Sequence, residues 1–364
     1  MRLLLFLLMT LPASAAGQLI FIGTYTRTTS RGIYAVRLDP TTGALSAPVL
    51  AATTPNPSFI AFTPDQKTLY AVSESDAMAA AFATDLARGT LSPLQPPQSS
   101  GGAAPCHLVV DATQHTLLVA NYHTGVVAAI PLHPDGTLGT PHVIQHTGHS
   151  VDPVRQTEPH VHSVTLSPDG RFALVCDLGL DRIFTYRLDA ANAVLTPGEP
   201  PFVATAPGAG PRHFVFGTDG RHAYAITEMG STVIAYDYAP ATGALTPRQT
   251  LSTLPPDFKG VSSGAEIRLH PNGRFLYGSN RGHDSIAVFA VDAVTGLLTP
   301  VEVTPCGGKN PRNFSLSPDG AWLVCANQNS NSLTVFRVDP KTGRLSPTGQ
   351  TTEVPLPVCV LFAR

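Results

Sequence analysis

The feature that most constrains this 364-residue chain is a turn that recurs along its whole length. It reads DPTTGAL at 39–45, DLARGTL at 85–91, HPDGTL at 133–138, APATGAL at 239–245, DAVTGLL at 292–298 and DPKTGRL at 339–345, with a degenerate copy, DAANAVL, at 189–195. The closing leucines step by 46, 47, 57, 50, 53 and 47 residues, which makes seven copies. Self-similarity at such a period is the mark of a repeat architecture, in which each unit is one supersecondary element stacked on its neighbours.

A second motif keeps step with the first. A short apolar run, a Ser-Pro-Asp-Gly-type turn and another apolar run recur, as in HSVTLSPDGRFALVCD at 162–177 and NFSLSPDGAWLVCANQ at 313–328. Two β-rich runs around such a turn read as a hairpin. A third run follows with alternating apolar and polar residues, such as RIFTYRLD or LTVFRVD, as a half-buried strand requires. With a weaker fourth strand, seven units of nearly 50 residues predict an all-β fold, a seven-bladed β-propeller with four-stranded blades. No segment is long and polar enough to divide the chain, so residues 17–364 are expected to form one domain. VPLPVCVLFAR at 354–364 reads as an isolated first strand and LIFIGTYT at 19–26 as an isolated second strand. Their pairing would close the ring and remove an open sheet edge.

The N-terminus, MRLLLFLLMTLPASAAGQL, has one arginine, an apolar stretch and an Ala-Ser-Ala site. This is the pattern of a secretory signal peptide, expected over 1–16, which sends the mature chain to the periplasm or outside. No later run reaches the length of a membrane span, so no membrane contact is expected after cleavage. The five cysteines are odd in number and lack framework spacing, so mostly buried single thiols are expected, with at most one or two disulfides. Charged residues are only 13% of the chain and the net charge is -2, which gives no basic stripe for nucleic acid. A monomer is expected.

In a propeller, the innermost strand a lines the central channel, and its start lies beside the end of the antiparallel strand b. Reading these positions in register picks out one mouth of the channel. The starts of strand a give Ser58, Cys106, His162, Arg212, Ala265 and Arg312. The ends of strand b give Ser73, Asn121, Asp177, Thr227, Asn280 and Asn327, followed by Glu74, Tyr122, Leu178, Glu228, Arg281 and Gln328. Polar residues that differ from blade to blade at one rim suggest a site built on a rigid scaffold. Three arginines there suit an anionic or polyhydroxylated ligand, because the planar guanidinium fork matches carboxylate and phosphate.

The stretch EPHVHS brings His160 and His162 onto strand spacing. With Asn121, Asp177 and Glu228 they could supply metal ligands, but nearby arginines disfavour a divalent cation and no HxxE or CxxC element is present. No G-x-S-x-G elbow, phosphate loop or dinucleotide glycine motif occurs. No metal or cofactor is therefore expected.

The chain resembles the seven-bladed propeller lactonases. The resemblance is carried by FIGTYT at 21–26, the DPxTGxL turns, PHVHS at 159–163, GPRHFVF at 210–216, the glutamate of AITEMGSTV at 225–233 and NRGHDSIAVF at 280–289. It implies hydrolysis of a sugar lactone, as in the propeller-type 6-phosphogluconolactonases, without a metal. It also implies a catalytic set of His162, Arg212, Glu228 and Arg281, with His160, Asn121, Asp177, Arg312 and Gln328 as substrate contacts. The partner is then a small-molecule lactone. The export signal raises an unphosphorylated aldonolactone as an alternative substrate. A lactonizing isomerase and a non-catalytic binding propeller are the other readings.

Overall fold

The computed structural model describes residues 17–364; the leader expected over 1–16 lies outside the described residues. Seven antiparallel sheets follow one another around a ring. Six are continuous in sequence and the seventh is split between the chain ends. In the split blade the C-terminal strand Pro357–Phe362 is strand a and pairs with Gln18–Thr24 as strand b, in the register Ile20 to Phe362 and Ile22 to Val360. Gly32–Leu38 and Val49–Thr53 complete that blade. Numbering it blade one, the other six follow in chain order. The expected closure of the ring is what the fold contains.

Blade two departs from four plain strands. Its outer strand is broken into Thr90–Pro93 and Gln98–Ser99, both paired to Met78–Asp85. Pro96 and Pro97 stand in the gap, where residues without an N–H cannot continue a ladder.

The repeated turn has a physical reason. It joins strands c and d, and it packs against strand b of the preceding blade. The hydroxyls of Tyr70, Tyr224 and Tyr277 each donate to the turn-glycine carbonyl of the next blade, at Gly136, Gly296 and Gly343 (each 2.9 Å). Across the closing seam Trp322 Nε1 donates to Pro40 O at 3.1 Å. Each buried tyrosine thus satisfies its polar tip while its ring fills the space between blades. Gly343 has φ +72, and a Cβ there would fall inside contact distance of the Phe275 ring. The apolar faces of neighbouring blades merge into clusters between the sheets, such as Ile20, Ile22, Trp322, Val324, Val335 and Val360 at the seam. All five cysteines are buried free thiols.

Two glycines separate backbone strain from inter-blade packing. Gly349 also has a positive φ, +77, but a Cβ there would meet nothing. Gly349→Ala should cost about 1–2 kcal/mol for the left-handed backbone alone. Gly343→Ala should cost a further ~1–3 kcal/mol for overpacking. Urea denaturation of the two variants checks the difference; equal losses would mean that the turn does not lock the blades.

Candidate active site

At the start of strand a the ladder carries one extra residue in six of the seven blades. In blade four Val161 pairs with Asp177 and Ser163 with Cys176, so His162 is the extra residue. Arg212, Arg312, Cys106 and Val358 hold the same place in blades five, seven, three and one. In blade six Ala265 and Glu266 stand opposite Ser279. Such a bulge kinks the strand and re-aims a side chain. The repeat therefore delivers His162, Arg212, Arg312 and Cys106 to one mouth of the channel.

There they line a cavity of about 340 Å³ together with Glu74, Tyr122, His123, Arg155, Glu228 and Arg281, with Arg212 just beneath. The hub is Glu228, which follows strand b of blade five. Its Oε2 lies 3.2 Å from Arg212 Nη1 and 2.9 Å from Arg281 Nη2, and its Oε1 lies 2.7 Å from Arg155 Nη2. His162 Nε2 is 3.8 Å from the same carboxylate and accepts a hydrogen bond from Arg212 Nη1. Backbone carbonyls fix the two deeper guanidiniums: Arg212 Nε donates to Ala265 O and Arg281 Nη2 to Gly264 O, both at 3.0 Å. Arg312 has no carboxylate within salt-bridge distance among the described residues. Its guanidinium stands over the Tyr25 ring at 5.4 Å, and Tyr25 in turn donates to Glu74 at 3.0 Å.

The electrostatics follow from burial and this charge set. Burial works to raise the Glu228 carboxyl, but Arg281, then Arg212 and Arg155, outweigh it and hold it well below the usual carboxylate range. Burial, and then the positive charge of Arg212, push the His162 ring well below its ordinary value, so it is neutral at pH 7. Burial and the neighbouring Arg281 bring Arg212 down to about 9. A neutral imidazole beside cationic donors is a base next to an anion-binding surface. No group of three or more His, Cys, Asp or Glu side chains disposed as metal ligands occurs among the described residues.

The structure thus brings His162, Arg212, Glu228, Arg281 and Arg312 together. It places the other four expected contacts elsewhere. Asn121 is fully buried and donates to Ser100 O at 3.0 Å, bracing the link that leads from the outer strand of blade two into its own blade. Asp177 is also fully buried; its Oδ1 accepts from His160 N at 2.8 Å and its Oδ2 contacts His146 Nδ1 at 2.7 Å. These two bonds pin both ends of the irregular segment 146–160, and Asp177 has no room for a ligand. His160 stacks on Tyr122 with centroids 4.4 Å apart, and its Nδ1 donates to the Tyr122 carbonyl at 3.1 Å. Gln328 accepts from Asn310 Nδ2 at 3.2 Å, away from the cavity.

Sequence reasoning missed Arg155 and Tyr25. Arg155 sits on the pinned segment and reaches back to Glu228 and to the Tyr122 hydroxyl at 3.1 Å. The segment overhangs the site. Its one sequence signal is the 57-residue step between Leu138 and Leu195, the longest of the six steps. Tyr25 follows strand b of the split blade, which a register read over the six continuous blades does not cover.

The family model described as "Lactonase, 7-bladed beta-propeller" matches residues 19–362. A 6-phosphogluconolactonase of Bacillus subtilis (strain 168) is 40% identical over 345 residues, covering 94% of this chain and 97% of the relative. A 6-phosphogluconolactonase of Formosa agariphila is 31% identical, over 82% of this chain and 86% of the relative. The solved structure of a periplasmic gluconolactonase of Pseudomonas aeruginosa superposes with a TM-score of 0.91 at 36% identity, covering 95% of this chain and 99% of that one.

The site makes two predictions about stability. Arg155 is 44% exposed, so Arg155→Ala should cost no more than about 1 kcal/mol. Glu228→Ala leaves two buried guanidiniums unpaired and should cost about 3–5 kcal/mol by urea denaturation. The second concerns pH. Burial works to raise the Glu266 carboxyl, but Arg268 and His213 outweigh it and bring it from 4.5 down to about 2. The unfolded chain then binds that proton more readily than the folded one. The stabilisation is complete above pH 4.5 and is lost as pH falls toward 2. Glu266→Gln should be less stable at pH 7 and show a shallower acid slope; parallel slopes would show that Glu266 does not carry it.

Proposed function

The chain belongs to the seven-bladed β-propeller lactonase family, and from that premise we propose that it hydrolyses a sugar aldonolactone to the open-chain acid without a metal. The observation that carries this reading is the neutral, buried His162 standing against a cluster of guanidiniums at one channel mouth. The ester carbonyl of the lactone takes the N–H of Arg212 that His162 holds in the ligand-free site, which frees His162 Nε2. The imidazole accepts a proton from a water as the water oxygen bonds the carbonyl carbon. Arg212 and Arg312 stabilise the oxyanion. Arg312 suits that task because no carboxylate of the described residues already neutralises it. Collapse breaks the bond to the ring oxygen, which takes the proton from His162. A protonated imidazole among three guanidiniums gives that proton up readily. The product acid then loses its remaining proton to solvent, and the carboxylate is held by Arg312 and Arg281. Glu228 keeps Arg212 and Arg281 in place and limits their excess charge.

The leader pattern and the likeness to a periplasmic gluconolactonase favour an unphosphorylated substrate such as a gluconolactone. The Bacillus subtilis relative supports the phosphorylated form. A panel of lactones with and without a phosphate, followed by acid release with and without a chelator, separates the two. Chelator-insensitive turnover of an aldonolactone is expected, and no turnover of any lactone would return the chain to a binding role.

His162→Gln should lower turnover by about 10²–10⁴-fold, and full activity in the folded variant would remove His162 as the base. Since His162 is held neutral far below its ordinary 6.5, kcat/KM should run level through pH 6.5 and fall only further into acid. An acid limb centred near 6.5 would place the base on a more exposed histidine.

A further inference from the structure

Adjoining the mouth cavity is a second, much smaller chamber of about 10 Å³, bounded by Ser58, Phe59, His162, Arg212, His213 and Arg312 among others. It shares Cys106, His162 and Arg312 with that cavity. Its size is that of a single water. Its walls contain two buried polar atoms with no protein partner, Ser58 Oγ and His213 Nε2. Both residues are about 5% exposed.

His213 is held for one role. Its Nδ1 lies 3.0 Å from Glu266 Oε1. Glu266 also accepts from Arg268 Nη2 at 3.3 Å, from Ile267 N at 2.9 Å and from Asn313 Nδ2. A carboxylate so supplied with donors is ionised, so the proton of a neutral His213 is on Nδ1. That leaves Nε2 as an acceptor. The His213 ring stands 5.4 Å from the His162 ring, centroid to centroid. Nothing in the reaction described above uses Ser58, His213 or Glu266.

We propose that this chamber holds the water that opens the lactone, and that Ser58 and His213 are its positioning residues. The proposal rests on the hydrolytic reading. A lactone seated in the mouth cavity covers the solvent side, so the attacking water is supplied from the channel side. One hydrogen of the water is fixed on His213 Nε2 and its oxygen is held at Ser58 Oγ. The other hydrogen passes to His162 as the oxygen bonds the carbonyl carbon. The ring C–O bond then breaks, and the ring oxygen takes that proton from His162. No further reactant is needed. Glu266 acts through His213, by fixing its tautomer and its plane.

A high-resolution crystal structure of the full mature chain reads the water site without reference to activity. One ordered water within hydrogen-bond distance of both Ser58 Oγ and His213 Nε2 is expected; a chamber without density would overturn the proposal. Ser58→Val replaces the hydroxyl by two methyl groups and is isosteric with Ser58→Thr, so the two variants differ by the hydroxyl and not by volume. It should lower kcat by about 10²-fold, the scale of a misplaced reactant, with KM within about twofold of the parent. Ser58→Thr, which restores the hydroxyl, should recover most of that loss. Unchanged kcat in a folded Ser58→Val protein would overturn the role. If the water is present and no lactone is opened, the hydrolytic reading fails and the site is a buried structural water. If lactones are opened and Ser58→Val changes only KM, the reading stands and the chamber is not the source of the nucleophile.

Discussion

The structure depends on one seam, the ladder between the C-terminal strand Pro357–Phe362 and the N-terminal strand Gln18–Thr24. Seven twisted sheets can share a ring only if the first and last neighbours meet, and an unclosed ring would leave open edges ready to pair with other chains. Splitting a blade between the chain ends makes closure a matter of backbone hydrogen bonds rather than of surface contact alone. The seam then reuses what every other blade boundary has. Trp322 donates to the turn of blade one as the tyrosines of blades two, five and six donate to the turns of the blades that follow them. A glycine that packs against a strand-b side chain of the preceding blade, and a leucine that enters the core behind it, explain why this turn is the sequence signature that recurs.

Closure fixes where seven strand starts lie, and the bulge decides what they do. In a regular strand His162 would take its turn in the alternation. As an extra residue it is turned to the mouth while Val161 and Ser163 keep the pairing on either side. The same device repeated around the ring concentrates charge. Burying two guanidiniums against one carboxylate, with a third half-exposed beside them, is costly in desolvation, and removing either sign leaves the buried partner with its full penalty. Such a cluster persists only on a frame rigid enough to hold its geometry. The frame is visible in two backbone carbonyls of blade six: Gly264 O fixes Arg281 within that blade, and Ala265 O fixes Arg212 of the neighbouring one.

The fold was legible because its information is periodic. Seven turns, six hairpins and two orphan end strands each pointed to the same ring. The site was legible where it inherits that period, which covers His162, Arg212, Glu228, Arg281 and Arg312. It was illegible for two physical reasons. The first is that a strand end has two sides. Asn121 and Asp177 share a register position that turns toward the segment linking the preceding blade to their own, at Ser100 and at His146 and His160, while Tyr122 and Glu228, one residue on, turn to the mouth. Period alone does not say which side faces the mouth. The second is insertion. Arg155 lies in a segment with no counterpart in other blades, so no register could find it. His160 falls between these cases: it lies near the site, but it acts by stacking on Tyr122.

Asp177 connects the two kinds of residue. One oxygen holds His146 and the other holds the backbone of His160, so a single buried carboxylate sets both ends of the segment that carries Arg155. Gln156 is wholly buried and adds a third anchor, donating to Leu178 O at 2.8 Å. Arg155 itself remains half-exposed and shares Glu228 with two deeper guanidiniums. The outermost ligand of Glu228 is therefore carried by the one part of the site that lies outside the repeat. A ligand that draws Arg155 away leaves Glu228 still held by Arg212 and Arg281, so the inner geometry survives the exchange. Chemistry built on the ring and contacts built on the loop can thus vary separately, because the loop meets the ring's charge cluster through one exposed guanidinium and is otherwise tied down by bonds of its own.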